Sequence, residues 1–259
     1  EGNLQRKRIK TVLDENNITI MTETALEAVE SSNGKVDSVK LSNGDTLEAD
    51  MVLLSMGVRP NLSLLTEVGY ELYDGKLYVD DYLETKEKDV YAIGDMIWVD
   101  HQLTGKKTYA PLGDVADKQG ILLGSTLTGT PLKYNGVSGS MSTSLYEWQI
   151  AKTGLTESEA IDAGFSAKSI EVKSLHQVAG FNENQPGIVR VVYDTDSYRL
   201  LGATIVSTVA ASQFIDQFSL LIHFGISLDK VFDVDYAYSP TTAVVWNPLL
   251  ATYRKVFRR

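Results

Sequence analysis

Two neighbouring residues, Gly94 and Asp95, are where chemistry could begin in this sequence. They close the apolar run Val90-Tyr91-Ala92-Ile93, which predicts a short buried strand. In α/β folds, ligands gather outside the carboxyl ends of parallel strands. A glycine there lets the backbone approach a bound molecule, and a carboxylate accepts hydrogen bonds from sugar-like hydroxyls. For the bare dipeptide, the plainer reading of a strand ending in an ordinary Gly-Asp turn is the stronger one. Other chemistries are narrowed by composition. The sequence holds no cysteine, which removes disulfides, thiolate zinc ligands and thiol catalysis within it. His101, His176 and His223 stand far apart without metal-ligand spacing, so no metal site is expected.

The elements that must position such a pair are legible in outline. The chain has 259 residues, 43% of them hydrophobic and 22% charged, with a formal net charge of −10. That is enough for one large core or two modest ones. The acidic balance favours neither a nucleic-acid partner nor an anionic membrane. Basic residues cluster at Arg6-Lys7-Arg8 and from Arg254-Lys255 to Arg258-Arg259, and read as solvated helix faces. No apolar run approaches the roughly 20 residues of a membrane-spanning helix. The absence of cysteine suits a reducing cytoplasm. No signal peptide is visible and the first residue is Glu, which leads us to expect either a chain that begins partway into a longer protein or one whose initiator was removed.

Residues 4–16 read as an amphipathic helix, and Ile18–Met21 with the stretch after it as short strands. Val36–Leu41 and Thr46–Glu48 flank Asn43-Gly44, a hairpin signal. Met51–Met56 is a continuous apolar run, as expected of a strand buried on both faces, and it breaks at Gly57-Val58-Arg59-Pro60-Asn61. A short helix, a turn at Asp74-Gly75, a strand Leu77–Val79 and a loop over 96–110 follow, then a helix Asp114–Leu127. After about residue 133 the pattern changes to strands at Ser140–Glu147, Lys168–Leu175, Gly187–Tyr193 and Leu200–Val206. Helices are expected at Ser212–Phe224, from Ser227 as N-cap, and at Trp246–Val256. Strands followed by grouped helices indicate a second, α+β domain.

Longer stretches carry a resemblance. Thr85 followed by Val90-Tyr91-Ala92-Ile93-Gly94-Asp95 resembles the second flavin-binding motif of the flavoproteins with two dinucleotide-binding domains, the FAD-dependent pyridine nucleotide-disulfide oxidoreductases. The resemblance implies that Asp95 binds the ribityl chain of FAD and that Gly94 permits close approach. Gly57-Val58-Arg59-Pro60-Asn61 resembles the crossover from the NAD-binding to the FAD-binding domain, which would place Gly57 near the nicotinamide end of the cofactor. Pro111-Leu112-Gly113-Asp114-Val115-Ala116-Asp117-Lys118-Gln119-Gly120 resembles the helix aimed at the flavin ring, with Leu112, Gly113 and Asp114 as backbone donors to developing negative charge. Ser142-Thr143-Ser144, Thr153–Glu157, Ala163-Gly164-Phe165, Leu200–Val206 and Tyr238-Ser239-Pro240 to Trp246-Asn247-Pro248-Leu249 resemble the dimerisation domain. The order is preserved along essentially the whole chain.

The resemblance implies an α/β architecture: the remainder of Rossmann-like NAD- and FAD-binding domains (residues 1–61 and 62–133), then an α+β dimerisation domain (134–259) that forms a homodimer. In the disulfide-reductase branch a His-Pro and a later glutamate handle protons; here Ser239 precedes Pro240 and Val244 holds the glutamate position. Tyr238 instead resembles the NADH oxidase, NADH peroxidase and coenzyme A-disulfide reductase branch, in which a tyrosine from the partner subunit approaches a reactive cysteine. A core or interface tyrosine is the even alternative, and Trp246 reads as an interface or core anchor. The expected activity is hydride transfer from NAD(P)H to FAD, then to a single-cysteine centre or to oxygen, as in an NADH oxidase. Coenzyme A-disulfide reductase is the close alternative, a non-catalytic dimerisation module is a rival of another class, and a cysteine-free reductase feeding a protein partner is a remoter one. No Gly-x-Gly-x-x-Gly occurs, so the chain by itself is expected neither to bind NAD nor to turn over.

Overall fold

A computed structural model describes residues 4–175, 178 and 186–258; His176 and Arg259 lie outside them. The chain falls into two compact units, one of residues 8–59 and one of 60–259 together with 1–7.

Helix α1 (Leu4–Glu15) has its residues from Arg8 onward in the unit 8–59, and ends where Asn16 Nδ2 donates to Val12 O at 2.8 Å and Asn17 turns to φ 58°. Three antiparallel strands follow, β1 (Leu26–Ser32), β2 (Lys35–Leu41) and β3 (Thr46–Glu48), in that order across the sheet. The hairpin expected at Asn43-Gly44 joins β2 to β3. Asn33 and Gly34 take φ 53° and 77° and turn β1 into β2, the two positive angles a type I′ turn requires. Two expectations fail here. Ile18–Met21 has no strand. Met51–Met56 has none either, with Met51 84% and Leu53 87% exposed. A strand buried on both faces exists only between two neighbours that saturate its backbone, and among the described residues no strand pairs with this run.

In the larger unit, residues 60–133 hold α2 (Ser63–Glu67), a two-stranded ribbon of β4 (Val99–Asp100) and β5 (Lys107–Thr108), and α3 (Gly113–Leu127). The turn at Asp74-Gly75 is present (φ 48° and 70°). Leu77–Val79 and Val90–Ile93 are not regular strands; each makes a single bridge, Leu77 to Ile97 and Tyr91 to Glu84. Leu77, Leu83, Ala92, Ile97 and Val99 form their small core.

The remainder is a five-stranded antiparallel sheet of β6 (Met141–Leu145), β7 (Trp148–Gly154), β8 (Ala167–Ser174), β9 (Gly187–Asp194) and β10 (Leu200–Ser207), ordered β6-β7-β10-β9-β8. Helix α5 (Ala211–His223) lays Ala211, Ile215, Phe218 and Ile222 on one face, with Val189, Val191 and Ile205. Leu155, Ala160, Val192 and Leu201 close the other. Gln5 Nε2 donates to Ile188 O (3.1 Å) and Thr204 O (2.8 Å). Ser227 occupies the N-cap of a 3-10 turn over Leu228–Asp233, but its hydroxyl bonds Asp229 rather than a backbone N–H. Helix α6 (Pro248–Phe257) is capped by Asn247, whose Oδ1 accepts from Leu250 N at 3.0 Å. Among the described residues no helix is long and apolar enough to cross a membrane.

Helix α4 (Glu157–Asp162) was not expected, although Thr156-x-x-Glu159 is a capping-box pattern. Thr156 N and Oγ1 both donate to Glu159 Oε2 (2.7 and 2.8 Å), and Glu159 N donates back to Thr156 Oγ1 (3.3 Å). These bonds, the backbone one first, hold the Glu159 carboxyl below its ordinary pKa. A lowered folded pKa stabilises above the unfolded pKa, and that stabilisation disappears as pH falls through the folded one. Thr156→Ala is therefore expected to cost about 1 kcal/mol at neutral pH, and urea unfolding should show the difference from wild type shrinking below about pH 4.

Candidate functional site

The chain around Gly94 and Asp95 is held by single contacts on both flanks. Ala92 N donates to Leu83 O (3.1 Å), and after the turn Leu77 N donates to Met96 O and Trp98 N to Leu77 O, each at 2.9 Å. Between these clamps, Gly94–Met96 makes one 3-10 turn, closed by Ile97 N donating to Gly94 O (3.3 Å). Gly94 sits at φ +75°, a left-handed angle that costs an L residue roughly 1–2 kcal/mol. A Cβ on Gly94 would lie 3.8 Å from Ala116 Cβ, ordinary contact, so the conformation rather than space calls for glycine.

Helix α3 backs this turn. The fully buried Gln119 accepts the Gly94 N–H on Oε1 at 2.6 Å. Sequence reasoning passed over this residue; its only signal was an amide on the face of a helix that also carries Gly120. At the start of α3 no side chain caps the helix, and Ala116 N is the first to return a bond, to Leu112 O at 3.1 Å. The N–H groups of Gly113, Asp114 and Val115 are thus left for an outside acceptor. Leu112 N–H is turned back to Ala110 O at 2.9 Å, so the free donors begin one residue later than the sequence placed them. The Asp114 carboxylate pairs with Lys118 at 3.6 Å on the exposed surface.

Asp95 is partly exposed, and among the described residues nothing donates to its carboxylate. Its charge reaches Tyr109, whose phenol is pushed above its ordinary pKa by burial first and by Asp95 second. Lys76 Nζ lies between the Tyr109 and Trp98 rings, 4.2 and 4.5 Å from their centroids. A cleft of about 510 Å³ opens along the other side of α3, lined by Leu112, Asp114, Val115, Tyr134 and His223.

Gly94, Asp95, Gly113 and Asp114 are therefore carried on one turn and the helix bonded to it. Tyr238 is not brought to them. It is 56% exposed and lines a separate cleft of about 860 Å³ with Val244, Val245, Trp246 and Arg254. Ser239 O accepts from Thr242 N (3.1 Å) and Ala243 N (2.8 Å), which folds that loop on itself. Arg254 and Arg258 lie over the Trp246 ring at 5.2 and 5.8 Å. Gly57 belongs to the other unit, at φ +82° in irregular backbone. Among the described residues no group of three or more His, Cys, Asp or Glu could hold a metal ion.

Residues 4–120 match the model of the pyridine nucleotide-disulphide oxidoreductases, and residues 141–248 match that of the same family's dimerisation domain. The chain belongs to this family. A CoA-dependent NAD(P)H sulfur oxidoreductase of Pyrococcus furiosus is 30% identical over 215 residues, 83% of this chain and 48% of that protein. An NADH oxidase of Streptococcus pyogenes is 34% identical over 212 residues, 81% of this chain and 46% of that one. The solved NAD-dependent persulfide reductase of A. fulgidus superposes with a TM-score of 0.89 at 27% identity, covering 96% of this chain and 46% of that one. The chain thus spans about half the length of the curated relatives it matches. The two matched segments lie in the order that the resemblance implied, the oxidoreductase model first and the dimerisation model after it.

Gly94→Ala tests the geometry of the turn. It is expected to lower the unfolding free energy by about 1–2 kcal/mol without crowding α3, read as a shift of the denaturation midpoint. An unchanged midpoint would mean that the left-handed angle is not held in solution.

Proposed function

We propose that this chain is the flavin-facing and subunit-pairing part of an FAD-dependent NAD(P)H oxidoreductase of the NADH oxidase kind. The observation that carries the reading is the pairing of an unmatched acceptor with unmatched donors: the Asp95 carboxylate, and the N–H groups of Gly113, Asp114 and Val115 on the helix bonded to its turn. That donor set suits a cofactor offering hydroxyls at one end and a ring that gains negative charge at the other. FAD, when bound, would take hydride from a nicotinamide and pass electrons onward.

The residues of this chain have the following parts in that reading. Asp95 accepts hydrogen bonds from ribityl hydroxyls and fixes the cofactor along the turn. The α3 amides hold negative charge at the flavin ring without supplying a proton. Gly57 lies toward the nicotinamide in the family's arrangement. Residues 134–259 pair two subunits, with residues 1–61 and 62–133 completing nucleotide-binding domains. Tyr238 donates a hydrogen bond into the partner's site. Ser239 and Val244 offer no proton-handling pair near neutral pH, which supports the branch that delivers electrons to one cysteine or to oxygen rather than to a dithiol.

Coenzyme A-disulfide reduction is the second reading, favoured by Tyr238 on an open cleft and by the CoA-dependent relative in Pyrococcus furiosus. Purified chain mixed with FAD, followed by size-exclusion chromatography with absorbance at the flavin band, tests the proposal. A dimer that carries flavin is expected, with retention reduced roughly tenfold by Asp95→Ala, the loss of one or two hydrogen bonds to a charged acceptor. A dimer that takes up no flavin would overturn the flavin-facing part of the reading and support a pairing module.

A further inference from the structure

We propose that Gln119 is the positioning residue for Asp95: its side-chain oxygen, in place of a β-ladder, sets the direction in which the Gly94–Asp95 turn presents the carboxylate. The inference rests on the flavin reading above and adds the device that holds that site in shape.

A buried amide side chain costs stability unless its polar atoms are satisfied, and Gln119 is completely buried. Among the described residues its oxygen accepts from Gly94 N–H at 2.6 Å, and Nε2 has no partner of good geometry. The Tyr134 hydroxyl beside it also lacks a well-formed bond; burial pushes this phenol's pKa up first, and a weak hydrogen-bonding interaction with the Gln119 side chain pulls it partly back. The amide nitrogen is thus poorly satisfied in its buried position, a deficit that a methionine of similar volume would not carry. What the glutamine adds is the acceptor.

The Gly94 N–H needs that acceptor. The backbone bonds on either side are Ala92 N–H to Leu83 O and Leu77 N–H to Met96 O, each beside an isolated bridge, so among the described residues no backbone carbonyl takes the Gly94 N–H. Glycine is the residue with the least intrinsic restraint on φ and ψ, and a small rotation there swings Asp95, the next residue. One short bond therefore fixes the most pliable link in the turn. Because Gln119 lies on α3, the same bond ties Asp95 to the helix whose first amides are free. Acceptor and donors form one body.

Gln119→Met keeps the volume and removes the acceptor; Gln119→Glu keeps an acceptor oxygen. Two readouts are compared on the full chain: hydrogen exchange and proton chemical shift of the Gly94 amide without flavin, and the dissociation constant and visible circular dichroism of added FAD. In Gln119→Met, Gly94 exchange is expected to rise and FAD affinity to fall, each roughly tenfold, the worth of one lost hydrogen bond, with a changed flavin dichroism band. Gln119→Glu should restore most of both. If Gln119→Met does not fold, Gln119→Asn serves, since it withdraws the oxygen by one methylene. Unchanged Gly94 exchange in a folded variant overturns the proposal, and so does faster exchange with unaltered FAD affinity. Wild-type chain that binds no FAD would sink the functional reading, while Gly94 exchange still decides whether Gln119 holds the turn.

Discussion

The close crossing of Gly154 and Gly202 is the constraint on which most of the larger unit depends. The two residues face each other in the pairing of β7 with β10. A Cβ on Gly154 would meet Leu201 O at 2.2 Å, and one on Gly202 would meet Leu155 O at 2.0 Å. No side chain fits at either place. The approach lets Leu155 N donate to Leu201 O at 2.8 Å as β7 leaves the sheet, which starts the chain across the face opposite α5. Leu155 and Ala160 then cover Leu201 and Val192, while Phe218 and Ile215 cover Ala203 and Ile205. β10 is consequently buried on both faces, and the sheet has a core on each side. A larger residue at 202 would separate β7 from β10 and open both cores at once.

Residues 60–133 are held by a different economy. Where the sheet is secured by continuous ladders, this segment relies on isolated bridges at Leu77, Tyr91 and Tyr73 and on side chains reaching into the backbone. Gln119 bonding Gly94 is one such reach, and Trp98 Nε1 donating to Tyr73 O at 2.7 Å is another. Single bonds leave a backbone nearer to local opening than a ladder does. They also allow the unusual angle at Gly94 and the uncapped start of α3, which a continuous sheet would not accommodate. The candidate site lies in the part of the fold where backbone groups are not already committed to one another.

That division explains what the sequence disclosed. The hairpin at Asn43-Gly44, the strands β8, β9 and β10, and helices α3, α5 and α6 were readable, because turn chemistry and apolar period decide each of them locally. Met51–Met56 misled: its composition is that of a doubly covered strand, but a strand is a property of its neighbours as well as of its residues. Val90–Ile93 misled for a related reason, being apolar enough to be buried yet bonded only at its edges. Helix α4 was missed because its six residues bury only Ala160 and so show no apolar period, leaving the capping box as its one signal. Asp95 was readable as a candidate from its place after Gly94. Gln119 was not, since a glutamine in a helix ordinarily points to solvent, and only the packing of α3 on the turn reveals that it is buried.

The placement of Tyr238 carries the functional reading one step further. Under the proposed function a hydroxyl serves the site, yet in this chain it opens onto a cleft that Asp95 does not share. The loop from Tyr238 to Trp246 is closed on itself through Ser239 O, and Trp246 is covered by two guanidinium groups. The loop is therefore a shaped, presented surface rather than a strand end free to swing back toward α3. Tyr238 is held outward on that surface, in a domain matched by the family's dimerisation model, which is the placement that the proposed action across a subunit boundary requires. Under the proposed function, the hydroxyl that residues 134–259 supply depends on their pairing: separating the subunits removes Tyr238 from the partner's site while leaving the Gln119 bond that joins Asp95's turn to α3 intact.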